Sequence, residues 1–448
     1  MPRIGFYGDD FTGSVDALLQ FRRAGLSGVL VTSNDVEIPT DDIDVVGIAG
    51  VARSLPTAAM AAEVVPALRR LLDLEPIVVQ YKACSTADSS ATVGSLGRAI
   101  ELSRKLFPAA PVPVLFAQPD FGRYTFFSHH FARDGDLIHR LDRQPTMVSH
   151  PVTPATESDL RRHLASQTTA AISALHWPTI ADAQRLEAAL DSGAETVVVC
   201  DAFTNEQIDR VAAAILAGPH QPRFVLGSGG LSGGLGRAMD VPHRLPPPAC
   251  DPTPAAGPTL VLNGSRSAGT RGQVEAAARA GWPTLDLFAP ATPQRAARLH
   301  AAGSDLVVDA AATPRSGPSI SQAVEVGLAD LADTCLRRNP ATRLVVCGGD
   351  TSGKVLRRLG VERLTVVGQP WGNVALCEAS GAAPHVRRVE LVLKGGQMGH
   401  LDLFDDVRQG RRYEPSDVSG HSPHRLIPDS SRERPGCSPT PPPARTPR

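Results

Sequence analysis

Residues 3–25 read RIGFYGDDFTGSVDALLQFRRAG, and this segment is the clearest indication of the fold class. Its apolar run at 3–7 is typical of a buried β-strand, and the segment 13–24 has the length and composition of a helix. Only a short polar loop separates the two. A strand that passes directly into a helix is the repeating unit of a parallel sheet covered by helices.

The same alternation continues along most of the chain, so the sequence predicts an α/β fold of mainly parallel sheets flanked by helices. Further strands are expected near 28–32, 45–49, 77–81, 113–117, 196–200, 223–226, 259–263, 305–308, 343–347, 364–367 and 389–393. Further helices are expected near 56–72, 94–106, 157–166 and 205–216. The segment 121–153 is richer in aromatic residues, histidine and proline, which predicts an insertion or a long loop with His129 and His130 as polar loop residues.

A chain of 448 residues exceeds the usual size of one hydrophobic core, so two domains are expected. The boundary is predicted at 242–258, because its prolines cannot donate to a sheet and favour a stiff, extended linker. It separates a domain at 1–241 from a domain at 259–414. At 415–448 proline, serine and arginine dominate, and the lack of large apolar residues predicts a disordered tail.

The composition of the chain narrows the class of function. A net charge of -1 gives no electrostatic reason to bind nucleic acid or a membrane surface. The seven cysteines include no CxxC pair, which argues against a disulfide framework and against a zinc site. No stretch is apolar enough for a transmembrane helix, and the first residues lack the apolar core of a signal peptide. We therefore expect a cytoplasmic protein whose partners are small molecules.

The loop after the first strand carries two adjacent carboxylates, Asp9 and Asp10, followed by Thr12 and Gly13. Ligands of open α/β sheets collect at the carboxyl ends of the strands, where this loop would lie. Either carboxylate could accept a proton from an attacking hydroxyl group or hold the hydroxyls of a sugar. The alternative is that one of them merely caps the following helix.

A second polar cluster follows the strand at 77–81 and offers one cation, one carboxylate and several hydroxyls. Its candidate binding residues are Lys82, Ser85, Thr86, Asp88 and Ser89. That mixture suits an anionic, polyhydroxylated ligand, although clusters of serine, threonine and aspartate are also common in plain turns. Arg53 could supply a second cation, because a guanidinium binds a carboxylate bidentately.

Glycine-rich loops end three strands of the second half, at 263–270, 348–353 and 394–399. Glycine lets the backbone approach a ligand closely, and a helix N-terminus favours phosphate, so three such loops together indicate a nucleotide site. Another glycine-rich segment, 227–234, could approach a ligand or form a flexible turn leading to the linker.

The middle loop fails as a P-loop. Gly348, Gly353 and Lys354 satisfy G-x-x-x-x-G-K, but Val355 stands where a serine or threonine should bind Mg²⁺. A P-loop NTPase is therefore rejected. No G-x-G-x-x-G follows the first strand, which argues against an NAD-dependent dehydrogenase.

Six of these segments, in their order along residues 1 to about 412, resemble the motifs of the four-carbon acid sugar kinase family, which includes 3-oxo-tetronate and threonate kinases. They are GDDFTGSVDAL, YKACSTADSSATVGSLGRAIE, GSGGLSGGLG, NGSRSAGTRGQ, GGDTSGKVLRRLGV and LVLKGGQMGHLDLF. The wording STADSS and the aromatic insertion are similar to a divergent branch that acts on 3-oxo-isoapionate.

The resemblance implies an N-terminal domain that binds a sugar acid and a C-terminal domain that binds ATP, with phosphoryl transfer across the cleft. It implies that Asp9, Asp10, Arg53, Lys82, Ser85, Thr86, Asp88 and Ser89 hold the sugar acid. It implies that Ser265, Ser267, Gly348, Gly349, Asp350, Thr351 and Gly399 hold ATP.

We therefore expect transfer of the ATP γ-phosphoryl group to a hydroxyl of a four- or five-carbon sugar acid, with Mg²⁺ bridging phosphate oxygens. Asp10 or Asp9 is the expected base, and Arg53 and Lys82 are expected to bind the substrate carboxylate. Two alternatives stay open, namely a sugar-phosphate lyase or isomerase and a sensor that binds sugar acid and nucleotide without turnover. A homodimer is a further expectation.

Overall fold

The structure, a computed structural model, describes residues 2–150, 152–193, 196–250, 253–312, 318–396 and 398–412. The tail predicted at 415–448 lies outside the described residues. In 2–412, short apolar runs form strands and alanine- and leucine-rich segments form helices, as the alternation in the sequence predicts. No helix in the described ranges combines the length and the apolar character needed to cross a bilayer.

The strands, numbered in chain order from β1 to β18, have the following bounds. They are Ile4–Gly8, Gly28–Val31, Val45–Ala49, Val78–Lys82, Val112–Leu115, Arg123–Phe126, His129–Asp134, Leu137–Arg140, Ala171–Leu175, Thr196–Cys200, Arg223–Gly227, Thr259–Asn263, Thr284–Asp286, Leu306–Asp309, Arg343–Cys347, Val361–Trp371, Val374–Gly381 and Val389–Lys394.

The helices, numbered in the same way from α1 to α14, have the following bounds. They are Phe11–Arg23, Met60–Leu72, Leu96–Ser103, Pro145–Val148, Leu160–Ala165, Trp177–Ile180, Ala183–Asp191, Asn205–Ala217, Gly229–Ala238, Ala268–Arg279, Thr292–Ala301, Pro318–Arg338, Gly349–Arg358 and Leu403–Gln409. Short 3₁₀ turns occur at Ala52–Ser54, Pro119–Phe121, Leu141–Arg143 and Pro384–Val386.

Fifteen of the described strands form one sheet, in the order β13-β14-β12-β15-β18-β17-β16-β2-β3-β1-β4-β11-β5-β10-β9. The strands from β2 to β9 in that order are parallel to one another, and so are the strands from β13 to β18. The hairpin β16–β17 joins the two parallel halves through antiparallel pairs with β2 and β18. The predicted α/β class with two mainly parallel sheets is confirmed, and the hairpin makes them continuous.

The core covers both faces of this sheet, because successive side chains of a strand point to opposite faces. In β1, Ile4 and Phe6 belong to one apolar cluster and Tyr7 belongs to the other. The first cluster also contains Val355 and Leu391 from the second half of the chain. The two halves therefore share a core.

The sequence predicts an insertion or a long loop at 121–153, and the prediction of a long loop is wrong. Strands β6, β7 and β8 of this segment form a separate antiparallel sheet. Between β6 and β7, Phe127 and Ser128 both have positive φ, and their N–H groups donate to the buried carboxylate of Asp201 at 2.8 and 2.9 Å. A turn held by a carboxylate that lies more than 70 residues away, just after β10, leaves no local signal in the sequence.

The prediction of a flexible turn at 227–234 is also wrong, because Gly229–Ala238 is helix α9. Glycine disfavours a helix on its own, but α9 packs tightly against α1 and α8. A Cβ atom on Gly234 would lie 2.7 Å from Cγ2 of Ile208, and one on Gly236 would lie 2.8 Å from Cβ of Ala24. Close helix packing therefore requires these glycines and outweighs their poor propensity.

The predicted linker passes between the two halves where it is described. The N–H of Leu245 donates to the carbonyl of Gly25 at 2.7 Å, and the N–H of Gln369 donates to the carbonyl of Ala249 at 2.9 Å. The segment is thus tied to the first half at one end and to β16 at the other. The division of the chain into domains at 1–241 and 259–414 stays a prediction.

Candidate active site

The acidic loop lies at the carboxyl end of β1 and begins helix α1. Asp10 is the N-cap of α1, because its Oδ1 accepts a hydrogen bond of 2.9 Å from the N–H of Gly13. Its Oδ2 accepts a bond of 2.7 Å from Oγ1 of Thr12 and forms an ion pair with Arg53. Burial works to raise the pKa of Asp10, but Arg53 and Lys82 hold it below its usual value. Asp10 is therefore both a helix cap and a fixed negative charge.

Asp9 is buried like Asp10 but differs from it in hydrogen bonding and in the direction of its pKa shift. It is only 1% exposed, and neither of its carboxylate oxygens has a hydrogen-bond partner within the described chain. Burial raises the pKa of Asp9 to about 7, although Arg53 works in the opposite direction. A buried carboxylate without partners is costly, and a pKa near neutrality is what a general base needs.

The two cations that the sequence predicts at this site both have acidic partners. Although burial opposes it, Asp10 and Asp9 raise the pKa of Arg53 well above its usual value. Lys82 is 2% exposed, and its Nζ lies 3.6 Å from Oδ2 of Asp16 and donates to the carbonyl of Ala83 at 3.0 Å. Both positive charges are therefore compensated within the chain.

The predicted polar cluster after β4 is held by bonds within itself and to two histidines. Oγ1 of Thr86 donates to Oδ1 of Asp88 at 2.6 Å, and Ser89 Oγ lies 2.8 Å from Nε2 of His163. The carbonyl of Ser85 lies 2.8 Å from Nε2 of His130. These bonds fix the loop, so its backbone and half-buried Asp88 are positioned beside the acidic loop.

His130 corrects a prediction. It lies on β7, is fully buried, and bonds to Thr125 Oγ1 at 2.9 Å as well as to the carbonyl of Ser85. Burial lowers the pKa of His130 to about 4, so the ring is neutral at physiological pH. It is a structural link between the small sheet and the polar cluster after β4 rather than a polar loop residue.

The middle glycine loop of the second half meets the acidic loop directly. Gly348 has φ of 111° and precedes helix α13, which begins at Gly349. A Cβ atom on Gly349 would lie 2.7 Å from Oδ2 of Asp10 and 3.0 Å from Nη2 of Arg53. Two loops that are more than 330 residues apart are therefore in contact, and the absence of a side chain on Gly349 allows it.

Helix α13 is held in this position by its other residues. A Cβ on Gly353 would lie 2.4 Å from the ring of Phe11, and the guanidinium of Arg357 lies 5.1 Å from the centre of the same ring. Arg357 also donates to the carbonyls of Thr32 and Ala49 at 3.0 and 3.1 Å, at the carboxyl ends of β2 and β3. Arg357 was not among the predicted residues, because its partners lie in another part of the sequence.

The first and third glycine loops are joined to each other. Oγ of Ser267 and Oγ1 of Thr270 both donate to the carbonyl of Gly396, the latter at 3.1 Å. The completely buried Nζ of Lys394 donates to Thr270 Oγ1 at 2.7 Å, and burial lowers the pKa of Lys394. A lysine at the end of a buried strand is visible in the sequence, but its burial is not.

The remaining predicted nucleotide residues lie around the same place. Oγ1 of Thr351 would be 2.2 Å from a Cβ on Gly264, so α13 packs against the first loop. Ser265 Oγ donates to Ser267 Oγ at 3.2 Å. Asp350 lies on α13, and Gly399 has φ of 81° in the third loop. The structure thus places the predicted sugar-acid residues at the carboxyl ends of strands in the first half and the nucleotide residues at the carboxyl ends of strands in the second half, and the two sets meet at Gly349.

A resident metal site is a separate question. In the ranges that the structure describes, no group of three or more histidine, cysteine, aspartate or glutamate side chains is placed to hold a metal ion. Asp309, near the first loop, already accepts from Asn263 Nδ2 and from the N–H of Ala311, each at 2.8 Å.

Two family models match the chain. One, described as a sugar-binding N-terminal domain, matches residues 4–235, and the other, described as a nucleotide-binding C-terminal domain, matches residues 260–404. Together they include both loops that meet at Gly349.

Curated relatives cover nearly the whole chain. A 3-oxo-isoapionate kinase of Paraburkholderia graminis is 33% identical over 91% of this chain and 94% of its own length. A 3-oxo-tetronate kinase of Pseudomonas savastanoi pv. phaseolicola is 29% identical over 90% of this chain and 96% of its own length.

Two solved structures share the fold. A protein of Salmonella typhimurium LT2 is similar with a TM-score of 0.75 at 25% identity, over 92% of this chain and all of that chain. A protein of Haemophilus influenzae is similar with a TM-score of 0.67 at 23% identity, over 90% of this chain and 99% of that chain, which shows the fold alone.

The contact at Gly349 can be tested by adding one methyl group. We expect Gly349→Ala to lower the free energy of unfolding by about 1–3 kcal/mol, because the new Cβ overlaps Asp10, whose carboxylate is held by Arg53 and Thr12. The measurement is urea denaturation of the variant and of the wild type.

Gly272→Ala is the matched control, since it lies in helix α10 and its Cβ would meet only the exposed Leu401, at 3.2 Å. This control should be neutral or up to about 1 kcal/mol more stable, because alanine favours a helix. Equal stability of the two variants would show that the loops do not make this contact in solution.

Proposed function

Because this chain belongs to the four-carbon acid sugar kinase family, we propose that it is an ATP-dependent kinase that phosphorylates a hydroxyl group of a four- or five-carbon sugar acid. The candidate acids are a 3-oxo-tetronate, threonate and 3-oxo-isoapionate, and the phosphorylated hydroxyl is the terminal one. The chain is divided into a sugar-acid domain at 1–241 and a nucleotide domain at 259–414, joined by the linker 242–258.

One observation carries the proposal, namely the contact of Gly349 with Asp10 and Arg53. Phosphoryl transfer requires the attacking oxygen and the phosphorus atom to approach to about 3–3.5 Å, so the two binding loops must adjoin. The acidic loop belongs to the part matched by the sugar-binding model, and the glycine loop to the part matched by the nucleotide-binding model. Their contact is the arrangement that direct transfer demands.

Asp9 is the general base of the proposed reaction. As the new bond forms between the substrate oxygen and the γ-phosphorus, the hydroxyl proton passes to the carboxylate of Asp9, and the bond to the β-phosphate oxygen breaks to release ADP. Asp9 has both oxygens free of hydrogen bonds within the described chain, whereas Asp10 already accepts from Gly13 and Thr12 and pairs with Arg53. A base needs a free lone pair, which favours Asp9.

Asp10 and Arg53 have a supporting role. Arg53, which pairs with Asp10, works to lower the pKa of Asp9, whereas Asp10 itself works to raise it. The same guanidinium borders Gly349, so it can offset negative charge that develops on the transferred group.

The nucleotide side consists of backbone and hydroxyl donors. Gly348 and Gly349 begin α13, whose first N–H groups favour phosphate, and Ser265 and Ser267 lie on the neighbouring loop. Mg²⁺ would arrive with ATP and would neutralise phosphate charge there, since it is usually held by one or two carboxylates together with the phosphates of the substrate. No step of the proposal depends on a protein ligand to the metal.

The two alternative functions differ from a kinase in what they consume. A sugar-phosphate lyase or isomerase needs no ATP, and a sensor binds both ligands without turnover. The buried, unpaired Asp9 favours an enzyme over a sensor, because binding alone would not compensate for the cost of that carboxylate. The homodimer stays a prediction.

ADP release tests the function. We expect the purified protein to release ADP from MgATP when C4 and C5 aldonates and their 3-oxo forms are supplied, and to release little without them. A coupled spectrophotometric assay measures the rate. No acid-dependent release from any member of the panel would refute the kinase assignment.

Asp9→Asn tests the base. We expect kcat to fall by about 10²–10⁴ with KM for ATP unchanged, because the amide cannot accept the proton. Asp120→Asn is a control at the carboxyl end of the same sheet, where the carboxylate is exposed and paired with Arg23. Asp10→Asn should instead lower thermal stability, since it leaves Arg53 without its closest counter-charge. A kcat for Asp9→Asn within threefold of the wild type would remove Asp9 from the role of base.

The pH dependence follows from the same carboxylate. Since only the ionised base is active, kcat/KM should rise with pH through about 7. Stability should change in the opposite direction. Between the usual pKa of 3.8 and about 7, folded Asp9 keeps a proton that the unfolded chain has released, so the free energy of unfolding falls as pH rises. Asp9→Asn should flatten both profiles in this range; an unchanged stability profile would show that the pKa is not raised.

A further inference from the structure

The substrate carboxylate needs a cation that is not already compensated. The sequence predicts Arg53 and Lys82 for this role, but Arg53 is paired with Asp10 and Lys82 lies 3.6 Å from Asp16. Either cation would have to leave or share its internal partner to bind a second carboxylate. Because both cations near the 82–89 cluster are already paired, a third cation is the better candidate to bind the substrate carboxylate.

Arg123 is the first residue of β6, just after the 3₁₀ turn at the carboxyl end of β5. Parallel strands of one sheet collect their ligands at this edge. Strand β6 is also linked to the 82–89 cluster, because His130 bonds both to Thr125 of β6 and to the carbonyl of Ser85. Arg123 is thus placed at the same end of the sheet as the acidic loop.

The guanidinium of Arg123 has no acidic partner at hydrogen-bond or ion-pair distance in the part of the chain that the structure describes. Its Nη1 donates to the carbonyl of Phe121 at 2.8 Å, with weaker contacts to the carbonyls of Gly122 and Arg133 at 3.5 and 3.4 Å. Its Nε is buried and makes no hydrogen bond. Burial lowers the pKa of Arg123, which reflects a partly desolvated charge with too little compensation. A neutral donor would be enough to bond these carbonyls, so their hydrogen bonds do not explain why a charged guanidinium is partly buried here.

Arg123 and Arg53 have the same acidic neighbours in the cluster. Asp88 and Cys84 both interact electrostatically with Arg123 and with Arg53. The loop that contains these two residues is therefore close to both arginines. Burial raises the pKa of Cys84 to about 12, which keeps the thiol neutral. Asp88 is therefore the charged group of the loop near Arg123, and it is already the acceptor for Thr86.

We propose that Arg123 binds the carboxylate of the sugar acid and that the small sheet β6–β7–β8 is the element that selects acids over neutral sugars. The inference rests on the proposed function and deepens it. It assigns recognition of the carboxylate to the inserted sheet, and it leaves Arg53 to serve the reacting end of the substrate beside Asp10 and Gly349. Arg123 is a binding residue and not a base.

Calorimetric titration tests the proposal with pairs of ligands. Each pair is a C4 or C5 sugar acid from the panel and its uncharged primary amide. The wild type should bind the preferred acid more tightly than its amide, and Arg123→Gln should weaken the acid about 10–100-fold while leaving the amide unchanged, because a charge-assisted, bidentate contact is lost. Arg133→Gln is the matched control on the adjacent strand, where the arginine is exposed and contacts Tyr124 OH.

The outcomes separate this inference from the proposed function. An acid preference that Arg123→Gln retains, or a wild type that binds no acid better than its amide, overturns the role of Arg123. If the preference depends on Arg123 but no acid promotes ADP release, the kinase assignment fails while the anion site stands. If Arg123→Gln melts well below the Arg133→Gln control, Arg123→Lys replaces it in the test. Lysine keeps the positive charge but lacks the forked guanidinium, so the acid preference of Arg123→Lys should lie between those of the wild type and Arg123→Gln. An acid preference of Arg123→Lys equal to that of the wild type would contradict bidentate binding.

Discussion

The arrangement of the site depends on a single close approach, that of the backbone at Gly349 to the carboxylate of Asp10. There is no room there for a Cβ atom, so the two loops adjoin only because one of them lacks a side chain. Contacts farther from Gly349 hold the two loops in this position. Arg357 and Phe11 hold the rest of α13 against the ends of β1, β2 and β3, and the hairpin β16–β17 carries the sheet from one half to the other. The long sheet and its shared core therefore serve to align two loops that the sequence places far apart.

Charge is distributed unevenly around that contact. Asp10 with Arg53 and Asp16 with Lys82 form compensated pairs, whereas Asp9 and Arg123 have no such partner in the described chain. Burying a charge without compensation is unfavourable, so such groups are more often retained for chemistry than for stability. The two uncompensated groups have opposite sign and suit the two ends of one anionic substrate, the hydroxyl that loses a proton and the carboxylate that is bound.

Local patterns in the sequence predicted the frame of the molecule and the neighbourhood of the site. The strands at 45–49, 196–200, 259–263 and 343–347 agree with the structure to the residue, because buried parallel strands are short, apolar and bounded by turns. What failed depends on distant partners. Helix α9 is glycine-rich yet forms because α1 and α8 pack closely on it, and the turn at Phe127 is held by Asp201. The difference between Asp9 and Asp10 is likewise invisible in the sequence, since it follows from which of the two reaches Arg53.

The backbone ladder that joins the two halves of the sheet is short. Between β2 and β16 the described register contains two residue pairs, Arg363 with Val31 and Leu364 with Leu30, supplemented by Thr32, whose N–H and hydroxyl bond to the carbonyls of Glu362 and Val361. Seven pairs join β16 to β17. The backbone ladder is therefore a small part of what holds the halves together, and the shared core and Arg357, which bonds α13 to the ends of β2 and β3, supply the rest.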